Sequence, residues 1–370
     1  MEQLRVFVED GFAIDKGAGI GQYTLNLFQL LKTLPEIEDV QLVKKPFLAR
    51  IPSPALRRAS YILWLNAGMQ LLLWREQPHM IHFANYLVPS LRLSGAKYVV
   101  TVHDLAAWKF PETLPSTYVP YIRRTITHAI KTADLVLTIS NTIKEEIIEI
   151  FGIRDKKIHV AYALISRNFW TVPKIGTSEA IMIKNKFGIK KDFLLFVGAI
   201  EERKNVITLV KAFNLLKNSK DIQLVLVGSP GYGFWEVEKY LEEMHLKSEV
   251  IFTGYISEKE LISLYDMAIA FVYPSLYEGF GMPLVEAMAR GTPIVASKIP
   301  STEEIVGDSA VYYSQSLAHE KLAEKILKVL ENNDLRRGLA EKGMKRAQAF
   351  SWEVVGRQYL RSYMKIVEKS

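Results

Sequence analysis

Short, β-branched apolar runs alternate with amphipathic segments along almost the whole chain. Repeated strand–helix units of this kind build parallel sheets that are covered by helices on both faces. Each run is nearly continuously apolar, as expected for a strand that is buried on both sides. We predict twelve strands: Arg5–Glu9, Val40–Val43, Met80–Ala84, Tyr98–His103, Leu135–Ile139, Ile158–Ala161, Phe193–Val197, Gln223–Val227, Val250–Thr253, Ala268–Val272, Pro293–Ala296 and Ala310–Tyr313.

The chain divides near its middle. Residues 166–179 (SRNFWTVPKIGTSE) interrupt the periodicity and contain the Pro, Gly, Ser and Thr typical of a linker. A chain of 370 residues also suits two domains of about 150–200 residues each. We therefore predict an α/β fold with two Rossmann-like, doubly wound domains, over residues 1–168 and 175–350. No strand is predicted after Leu317, and residues 351–370 form the last of three amphipathic helices.

Two serines predict where helices begin in the second half. Ser257 and Ser301 are each followed three residues later by a glutamate, which is the pattern of a capping box. We therefore expect a helix to begin after each serine.

The composition excludes several classes of protein. Without cysteine there is no disulfide, no thiolate metal site and no cysteine nucleophile. The N-terminus opens on a strand without a signal-peptide pattern, and the longest apolar stretch, Tyr61–Trp74, is shorter than the ~20 residues that span a bilayer. A cytoplasmic location is therefore expected.

The net charge of +7 predicts an anionic partner. Most of the excess lies in residues 1–167, which hold 20 Lys and Arg against 15 Asp and Glu. Phosphates, a lipid surface or nucleic acid could each be that partner. No segment shows a basic helical face with base-reading residues, so nucleic acid is not expected.

The segment Tyr273–Ala289 (YPSLYEGFGMPLVEAMA) predicts a diphosphate site. An apolar strand passes through two glycines to a proline that suits the first turn of a helix. The N–H groups and the positive dipole end of such a helix attract phosphate. Glu278 and Glu286 lie on either side of this turn. Because a carboxylate repels phosphate, we expect these two to have another role, such as accepting hydrogen bonds from sugar hydroxyls.

This segment resembles the Glu-x7-Glu signature of the family-4 retaining glycosyltransferases, which have the GT-B fold. The resemblance implies that Glu278 contacts the transferred sugar and that Glu286 binds the nucleotide ribose. It implies that the backbone amides of Gly281 and Met282 meet the donor phosphates. It also implies that the C-terminal helix crosses back to the first domain.

Arg203 and Lys204 follow a predicted strand and a short loop. Two adjacent cations at the carboxyl end of a strand can neutralise a leaving diphosphate without a metal. Many family members carry Arg after the glycine that matches Gly198, where this chain has Ala199, so Arg203 is expected to supply that guanidinium. The chain contains no Asp-x-Asp, the usual metal–diphosphate motif. We expect no metal and no cofactor besides the nucleotide-sugar.

In the first half, a glycine-rich loop follows the first strand. Gly17, Gly19 and Gly21 do not have the spacing of a dinucleotide fingerprint, and the second strand lacks the acidic residue that such a site needs. The resemblance instead implies that Gly19 and Gly21 reach the donor phosphates or the acceptor. It also implies that His103, after the fourth strand, contacts the donor sugar near the reacting centre, while His82 has an equal claim to a structural role.

The resemblance implies a metal-independent, retaining glycosyltransferase with a front-face mechanism. The acceptor, a glycan or a lipid-linked sugar, would bind mainly to the first domain and the donor mainly to the second. The string HDLAAWKFPETLP, from His103, resembles the mannosyltransferase branch of surface-polysaccharide synthesis and favours GDP-mannose. Two alternatives stay open: a catalytically silent nucleotide-sugar-binding subunit and a sugar-nucleotide epimerase of the same fold.

Residues 44–74 combine basic and aromatic side chains. Lys44, Lys45, Arg50, Arg57 and Arg58 are interleaved with aromatic and aliphatic residues. Such a mixture suits the surface of an anionic bilayer, so peripheral contact with the inner face of the membrane is one hypothesis. An ordinary core helix with solvated arginines is the other.

Overall fold

The computed structural model describes residues 3–9, 19–44, 53–217, 219–314 and 318–368, without the side chains of residues 54, 55, 57, 58 and 318. The chain forms two compact units. Unit 1 comprises Met1–Ala107, Thr117–Ser166 and Ser351–Ser370, and unit 2 comprises Trp108–Ser116 and Arg167–Phe350.

Unit 1 is built on a six-stranded parallel sheet with the order β2-β1-β3-β4-β5-β6. The central strands β1, β3, β4 and β5 are almost wholly buried, because helices cover the sheet, whereas β2 and β6 at its edges are partly exposed. Their bounds are β1 Leu4–Glu9, β2 Ile37–Val43, β3 Met80–Phe83, β4 Lys97–Val102, β5 Leu135–Thr138 and β6 Ile158–Val160.

Unit 2 has a second six-stranded parallel sheet, with the order β12-β11-β10-β7-β8-β9. Its bounds are β7 Asp192–Val197, β8 Ile222–Val227, β9 Val250–Gly254, β10 Ala270–Tyr273, β11 Ile294–Ser297 and β12 Ala310–Tyr313. All twelve predicted strands are confirmed, with small shifts at their ends.

Helices connect the strands and complete the α/β architecture. They are α1 Gly19–Leu31, α2 Pro54–Leu63, α3 Met69–Glu76, α4 Ala106–Lys109, α5 Tyr118–Thr132, α6 Asn141–Phe151, α7 Asn168–Thr171, α8 Thr177–Phe187, α9 Val206–Leu216, α10 Phe234–Glu243, α11 Glu258–Met267, α12 Met282–Ala289, α13 Pro300–Val306, α14 Ala318–Glu331, α15 Asn333–Ala347 and α16 Trp352–Val367. None of the helices in the described ranges is long and apolar enough to span a membrane.

Helix α16 belongs to unit 1, although it follows the whole of unit 2 in the sequence. The indole of Trp352 donates to the carbonyl of Ile165 at 3.0 Å, which fixes the first turn of the helix. At Gly356 the helix backbone lies so close to α1 that a Cβ atom would be 3.2 Å from Leu30. The C-terminal helix therefore crosses back to the first unit, as expected.

Two expectations about local structure are wrong. Residues 166–179 are not a simple linker, because they contain α7 and the beginning of α8, and Phe169 is buried in unit 2. Ser301 does not cap a helix: α13 begins one residue earlier, at Pro300, and Ser301 is buried inside it. The proline determines this start, since its fixed φ suits the first turn and its missing N–H costs nothing there. The capping box at Ser257 is confirmed.

The division into units also differs from a boundary drawn at one point in the sequence. Residues 108–116 lie within the first half of the chain and yet group with unit 2. The ring of Phe110 packs on that of Tyr277, with centroids 5.3 Å apart. This contact joins residues far apart in sequence, and neither strand nor helix periodicity reveals it.

Candidate active site

The candidate donor site lies at the carboxyl edge of the unit 2 sheet. β7 pairs with β10 on one side and with β8 on the other, so the strand order reverses between β7 and β10. Loops that follow such strands diverge and leave a crevice where doubly wound sheets bind ligands. Arg203 and Lys204 follow β7, and Glu278 follows β10. The topology therefore brings together residues that are 74 and 75 positions apart.

Glu278 is the centre of this group. It is only 6% exposed, and its carboxylate contacts both cations. Arg203 Nη1 lies 3.3 Å from Glu278 Oε2, and Lys204 Nζ pairs with Glu278 Oε1. Burial alone would raise the pKa of Glu278, but Lys204 and Arg203 outweigh it and hold the pKa at about 2. The carboxylate is therefore ionised and can only accept hydrogen bonds.

A fourth charge completes the group. Arg203 Nη2 also pairs with Glu201 Oε1 at 2.8 Å, so the two cations face two carboxylates and the formal charges sum to zero. Arg203 and Lys204 retain 15% and 14% side-chain exposure, so they are within reach of a ligand. An incoming anion would compete with the carboxylates for these cations.

The two loops are held together by their backbones. Leu276 N donates to Arg203 O at 2.9 Å, and Asn205 Nδ2 donates to Pro274 O at 3.2 Å. Asn205 has a left-handed φ of 53° that ends the short turn containing both cations and begins α9. These contacts place the cations beside the β10 loop with little freedom.

The turn into α12 has the predicted form. Gly281 is the residue before the helix, with φ of 90°, and Met282 and Pro283 make its first turn. A Cβ atom on Gly281 would lie 2.8 Å from Leu284 Cδ1, so a larger residue would be strained by both its backbone and its contacts. No side chain caps this helix N-terminus. Its first N–H groups can therefore serve an anionic ligand.

Another glycine controls the neighbouring loop. At Gly228, which follows β8, a Cβ atom would lie 2.0 Å from the carbonyl oxygen of Gly198, which follows β7. With φ of 143°, Gly228 also has a backbone conformation that other residues rarely adopt. The two loops can approach this closely only because a side chain is missing.

Glu286 has the opposite environment to Glu278. It is half-buried on α12 and accepts a hydrogen bond from Tyr265 Oη at 2.9 Å. Burial raises its pKa to about 7, which exceeds the lowering effect of that hydrogen bond, and Glu258 adds a smaller upward shift. One signature glutamate is thus firmly ionised while the other titrates near neutral pH. Divergent carboxyl environments of this kind are typical of functional sites.

Sequence reasoning missed Arg290 and Asp266, which position α12. Their ion pair is almost fully buried, with Arg290 Nη2 at 2.6 Å and Nε at 2.8 Å from the two Asp266 oxygens. Arg290 also donates to the carbonyls of Phe169, Val172 and Pro173. The C-terminal end of α12 is therefore tied to α11 and to the segment 169–173. No local signal distinguishes these residues from ordinary surface charges.

In unit 1, His103 follows β4 at the carboxyl edge of the sheet. Its Nε2 lies 2.7 Å from the carbonyl oxygen of Ala84, which only accepts, so this nitrogen carries the proton and Nδ1 is an acceptor. Burial lowers the pKa of His103 below its usual value, against the opposing effects of Ala84 and Asp104. The ring of Tyr23 packs edge-on against it at 4.7 Å. A neutral, oriented imidazole is the result.

His82 belongs to a buried polar chain that joins α16 to the sheet. Its Nδ1 lies 2.6 Å from Tyr363 Oη and its Nε2 lies 2.7 Å from Thr101 Oγ1. The chain continues from Thr101 to Tyr23 at 2.9 Å and from Tyr23 to Tyr359 at 2.8 Å. Burial, with the nearby His103, lowers the pKa of His82 to about 3. This residue is a structural anchor for the C-terminal helix.

The glycine-rich loop of unit 1 is described only in part. Residues 10–18, including Gly17, lie outside the described residues. Gly19 and Gly21 form the first turn of α1, where Gly21 is buried. They begin a helix rather than a loop, at the carboxyl edge next to β1. In the parts of the chain that the structure describes, no group of three or more metal-ligating side chains occurs.

Two family models match the chain. Residues 177–346 match the model for Glycosyl transferases group 1, and residues 32–167 match the model for Glycosyltransferase Family 4. The first model covers most of unit 2 and the second covers most of the first half of the chain. Each half thus resembles a glycosyltransferase domain.

Several known proteins are similar to this chain over nearly its whole length. The chain is 29% identical to O-antigen chain mannosyltransferase B of Escherichia coli, over 93% of this chain and 95% of that protein. Sucrose-phosphate synthase from Thermosynechococcus elongatus has the same fold, with a TM-score of 0.77 at 20% identity over 100% of both chains. Anabaena HepE in complex with UDP-glucose gives a TM-score of 0.75 at 18% identity, over 98% of this chain and 100% of that one.

Proposed function

Because the chain belongs to the family-4 glycosyltransferases and has the GT-B fold, we propose that it transfers a hexose from a nucleotide-sugar to a glycan or lipid-linked acceptor, with retention of configuration. The observation that carries this proposal is the contact of Arg203 and Lys204 with the buried Glu278 at the switch point of unit 2. The donor binds here. The diphosphate binds to Arg203, Lys204 and the N-terminus of α12, and the hexose hydroxyls hydrogen-bond to Glu278.

Departure of the diphosphate is the step that these residues assist. The bond between the anomeric carbon and the phosphate oxygen breaks, and its electron pair leaves with the nucleoside diphosphate. Arg203, Lys204 and the first N–H groups of α12 stabilise the negative charge that develops on that oxygen. The acceptor hydroxyl attacks the same face, and its proton passes to the departing phosphate.

Retention without a covalent intermediate agrees with the state of Glu278. A carboxylate held by two cations, with a pKa of about 2, is a weak nucleophile because its charge is already neutralised. Glu278 therefore accepts hydrogen bonds from the sugar hydroxyls and keeps the cations in place. The one-bond C1–H1 coupling of the first product formed, measured by NMR, tests retention, since a configuration opposite to that of the donor would overturn the retaining mechanism.

For the donor we propose GDP-mannose. The support for mannose is the similarity to O-antigen chain mannosyltransferase B, whose name specifies that sugar, and GDP is the nucleotide that the sequence resemblance favours. The structural similarity to HepE, solved with UDP-glucose, makes that compound the natural competitor in a test. Thermal-shift and turnover measurements with GDP-mannose, UDP-glucose, dTDP-glucose and ADP-glucose decide between them. A preference for a donor other than GDP-mannose would overturn this assignment and leave the reaction class intact.

We further propose that turnover needs no metal ion. Arg203, Lys204 and the N-terminus of α12 lie at the proposed diphosphate position, where an incoming diphosphate would compete with Glu201 and Glu278 for the two cations. These groups would then stabilise the diphosphate in place of a divalent ion. Release of nucleoside diphosphate in saturating EDTA tests this directly. Activity that disappears with the chelator and returns with Mg²⁺ or Mn²⁺ would contradict it.

A lipid-linked acceptor would bring the protein to a membrane, and unit 1 has a surface suited to one. Five large apolar side chains on α2 and α3 are between 59% and 65% exposed, while other residues of the same helices are buried. We call this surface the apolar patch: Leu56, Ile62, Leu63, Leu71 and Trp74. Large apolar side chains exposed together on consecutive helices are typical of surfaces that bind a partner or a membrane.

Basic residues accompany the apolar patch. Lys44 and Arg75 are exposed, Lys45 and Arg50 lie outside the described residues, and the side chains of Arg57 and Arg58 are not described. Each cation near an anionic surface contributes about 1 kcal/mol to binding. We therefore propose that unit 1 docks peripherally on the inner face of the membrane. The alternative of an ordinary core helix accounts for the buried face of the segment and not for the exposed one.

Co-sedimentation with phosphatidylglycerol–phosphatidylcholine vesicles at low and high salt tests the docking. Replacing Lys44, Lys45, Arg57 and Arg58 by Ser should remove the salt-sensitive part of binding, and replacing Leu71 and Trp74 by Ser should remove the rest. Ile181 and Met182 are 55% and 70% exposed on α8 of unit 2, and their replacement by Ser is the matched control. Wild-type protein that does not bind at low salt would rule the docking out.

A further inference from the structure

Two exposed tyrosines lie at the start of α5, on the side of the helix that faces solvent. Tyr118 and Tyr121 are 43% and 51% exposed, whereas the residues that follow each of them, Val119 and Ile122, are buried. Their rings stack with centroids 5.8 Å apart and an interplanar angle of 30°. Residues three apart share one helix face, so the pair makes a continuous aromatic surface. An ordinary solvated helix face would carry polar side chains there.

Polar groups from two neighbouring strands adjoin these rings. Tyr86 follows β3 and Asp104 follows β4, at the carboxyl edge that also holds His103. Burial, together with the nearby Tyr118, Asp104 and Tyr121, raises the pKa of Tyr86 well above its usual value. The Tyr86 hydroxyl therefore keeps its proton, and it shares a hydrogen bond with the side chain of Tyr118.

The loops that carry these polar groups are fixed locally. Asp104 Oδ1 accepts a hydrogen bond from Ala106 N at 3.1 Å. Asn85 Oδ1 accepts one from Leu87 N at 2.6 Å, which holds the loop around Tyr86. The aromatic surface thus has a polar border formed by the carboxylate of Asp104 and the phenol of Tyr86.

We propose that Tyr118, Tyr121, Tyr86 and Asp104 form the subsite for the acceptor sugar, a hexopyranose. This rests on the proposed glycosyl transfer and adds the residues that select its acceptor. The C–H face of a pyranose ring is apolar and carries partial positive charge, which matches the negative face of a tyrosine ring. The hydroxyls at the ring edge then hydrogen-bond to Asp104 and Tyr86. Apolar walls with a few placed polar groups are typical of ligand sites.

The arrangement favours a sugar over other occupants of an aromatic surface. A lipid tail has no group that could donate a hydrogen bond to the carboxylate of Asp104, and a phosphate would be repelled by that carboxylate. A neutral polyhydroxylated ring satisfies both the aromatic faces and the polar border. The subsite also lies at the same sheet edge as His103, as an acceptor position requires.

The test compares Tyr118→Leu/Tyr121→Leu with Tyr118→Phe/Tyr121→Phe, which keeps both rings. Binding is measured by saturation-transfer NMR and titration with methyl α-D-mannopyranoside, methyl α-D-glucopyranoside and methyl α-D-galactopyranoside, none of which has an aromatic group. Loss of the rings should weaken binding of the best glycoside about tenfold relative to the Phe variant. Asp104→Asn should weaken it as well, by removing a charged acceptor.

The acceptor result is separable from the proposed function. Release of nucleoside diphosphate from the donor reports the transferase activity, and glycoside binding reports the subsite. Equal binding by the Leu and Phe variants would overturn the subsite, and so would wild-type protein that turns over donor and binds none of the glycosides. Urea titrations of both variants beside wild type check that the difference in binding does not come from a difference in unfolding.

Discussion

Lowering the pH from 8 to 6 should weaken donor binding through Glu286. The raised pKa of this carboxyl, about 7, means that it is ionised above neutral pH and protonated below. We propose that Glu286 binds the nucleotide ribose, and only its ionised form can accept hydrogen bonds from both ribose hydroxyls. Its fraction falls from about nine-tenths at pH 8 to about one-tenth at pH 6. With a protonated form that binds about tenfold more weakly, the affinity should fall about fivefold, or about 1 kcal/mol.

The assay is the KM for the nucleotide-sugar, measured from pH 5.5 to pH 8.5 by release of nucleoside diphosphate. Glu286→Gln has no titrating group at this position, so the ratio of its KM to that of wild type cancels the titration of the nucleotide itself. That ratio should be about two at pH 6 and about nine at pH 8. A ratio that does not change with pH would refute the reasoning.

Tyr265→Phe provides an independent control. The Tyr265 hydroxyl donates to Glu286 Oε2 at 2.9 Å and lowers its pKa, because it favours the charged form. Without that donor the pKa should rise further, and the break in the KM profile should move to higher pH. A shift in the opposite direction would show that another group controls the profile.

Three other perturbations address the remaining parts of the site. Lys204→Met should lower kcat/KM by roughly 10²–10³-fold by removing one of the two cations at the diphosphate, and Lys204→Arg should restore part of it; full activity of the Met variant would exclude this role. His103→Ala should lower kcat at saturating donor, whereas a wild-type kcat would assign the imidazole to structure alone. Asp266→Asn should reduce the free energy of unfolding by about 3–5 kcal/mol in urea titrations, because it leaves Arg290 buried without its counter-charge. The double variant Arg290→Met/Asp266→Leu, which has no buried charge, should recover much of that loss. An Asn variant as stable as wild type would contradict that account.

The alternation of apolar runs and amphipathic segments was enough to predict the architecture. Strands that are buried on both faces must be continuously apolar, and short apolar runs predicted all twelve strands, although the edge strands β2, β6, β9 and β12 are only partly buried. The turn at Gly281 was equally visible, since the two glycines and Pro283 encode its backbone locally. Where two local signals competed, as at Pro300 and Ser301, the stiffer proline prevailed over the serine cap.

The tertiary structure alone determined which charged groups are in contact and whether each is ionised. Glu278 meets Arg203 and Lys204 because β7 and β10 are neighbours in the sheet, although 74 residues separate the groups. The pKa values of about 2 for Glu278 and about 7 for Glu286 follow from partners and burial, which no spacing in the sequence records. The buried pair of Arg290 and Asp266 was invisible for the same reason. A local pattern encodes backbone conformation, but the free energy of a charge depends on everything packed around it.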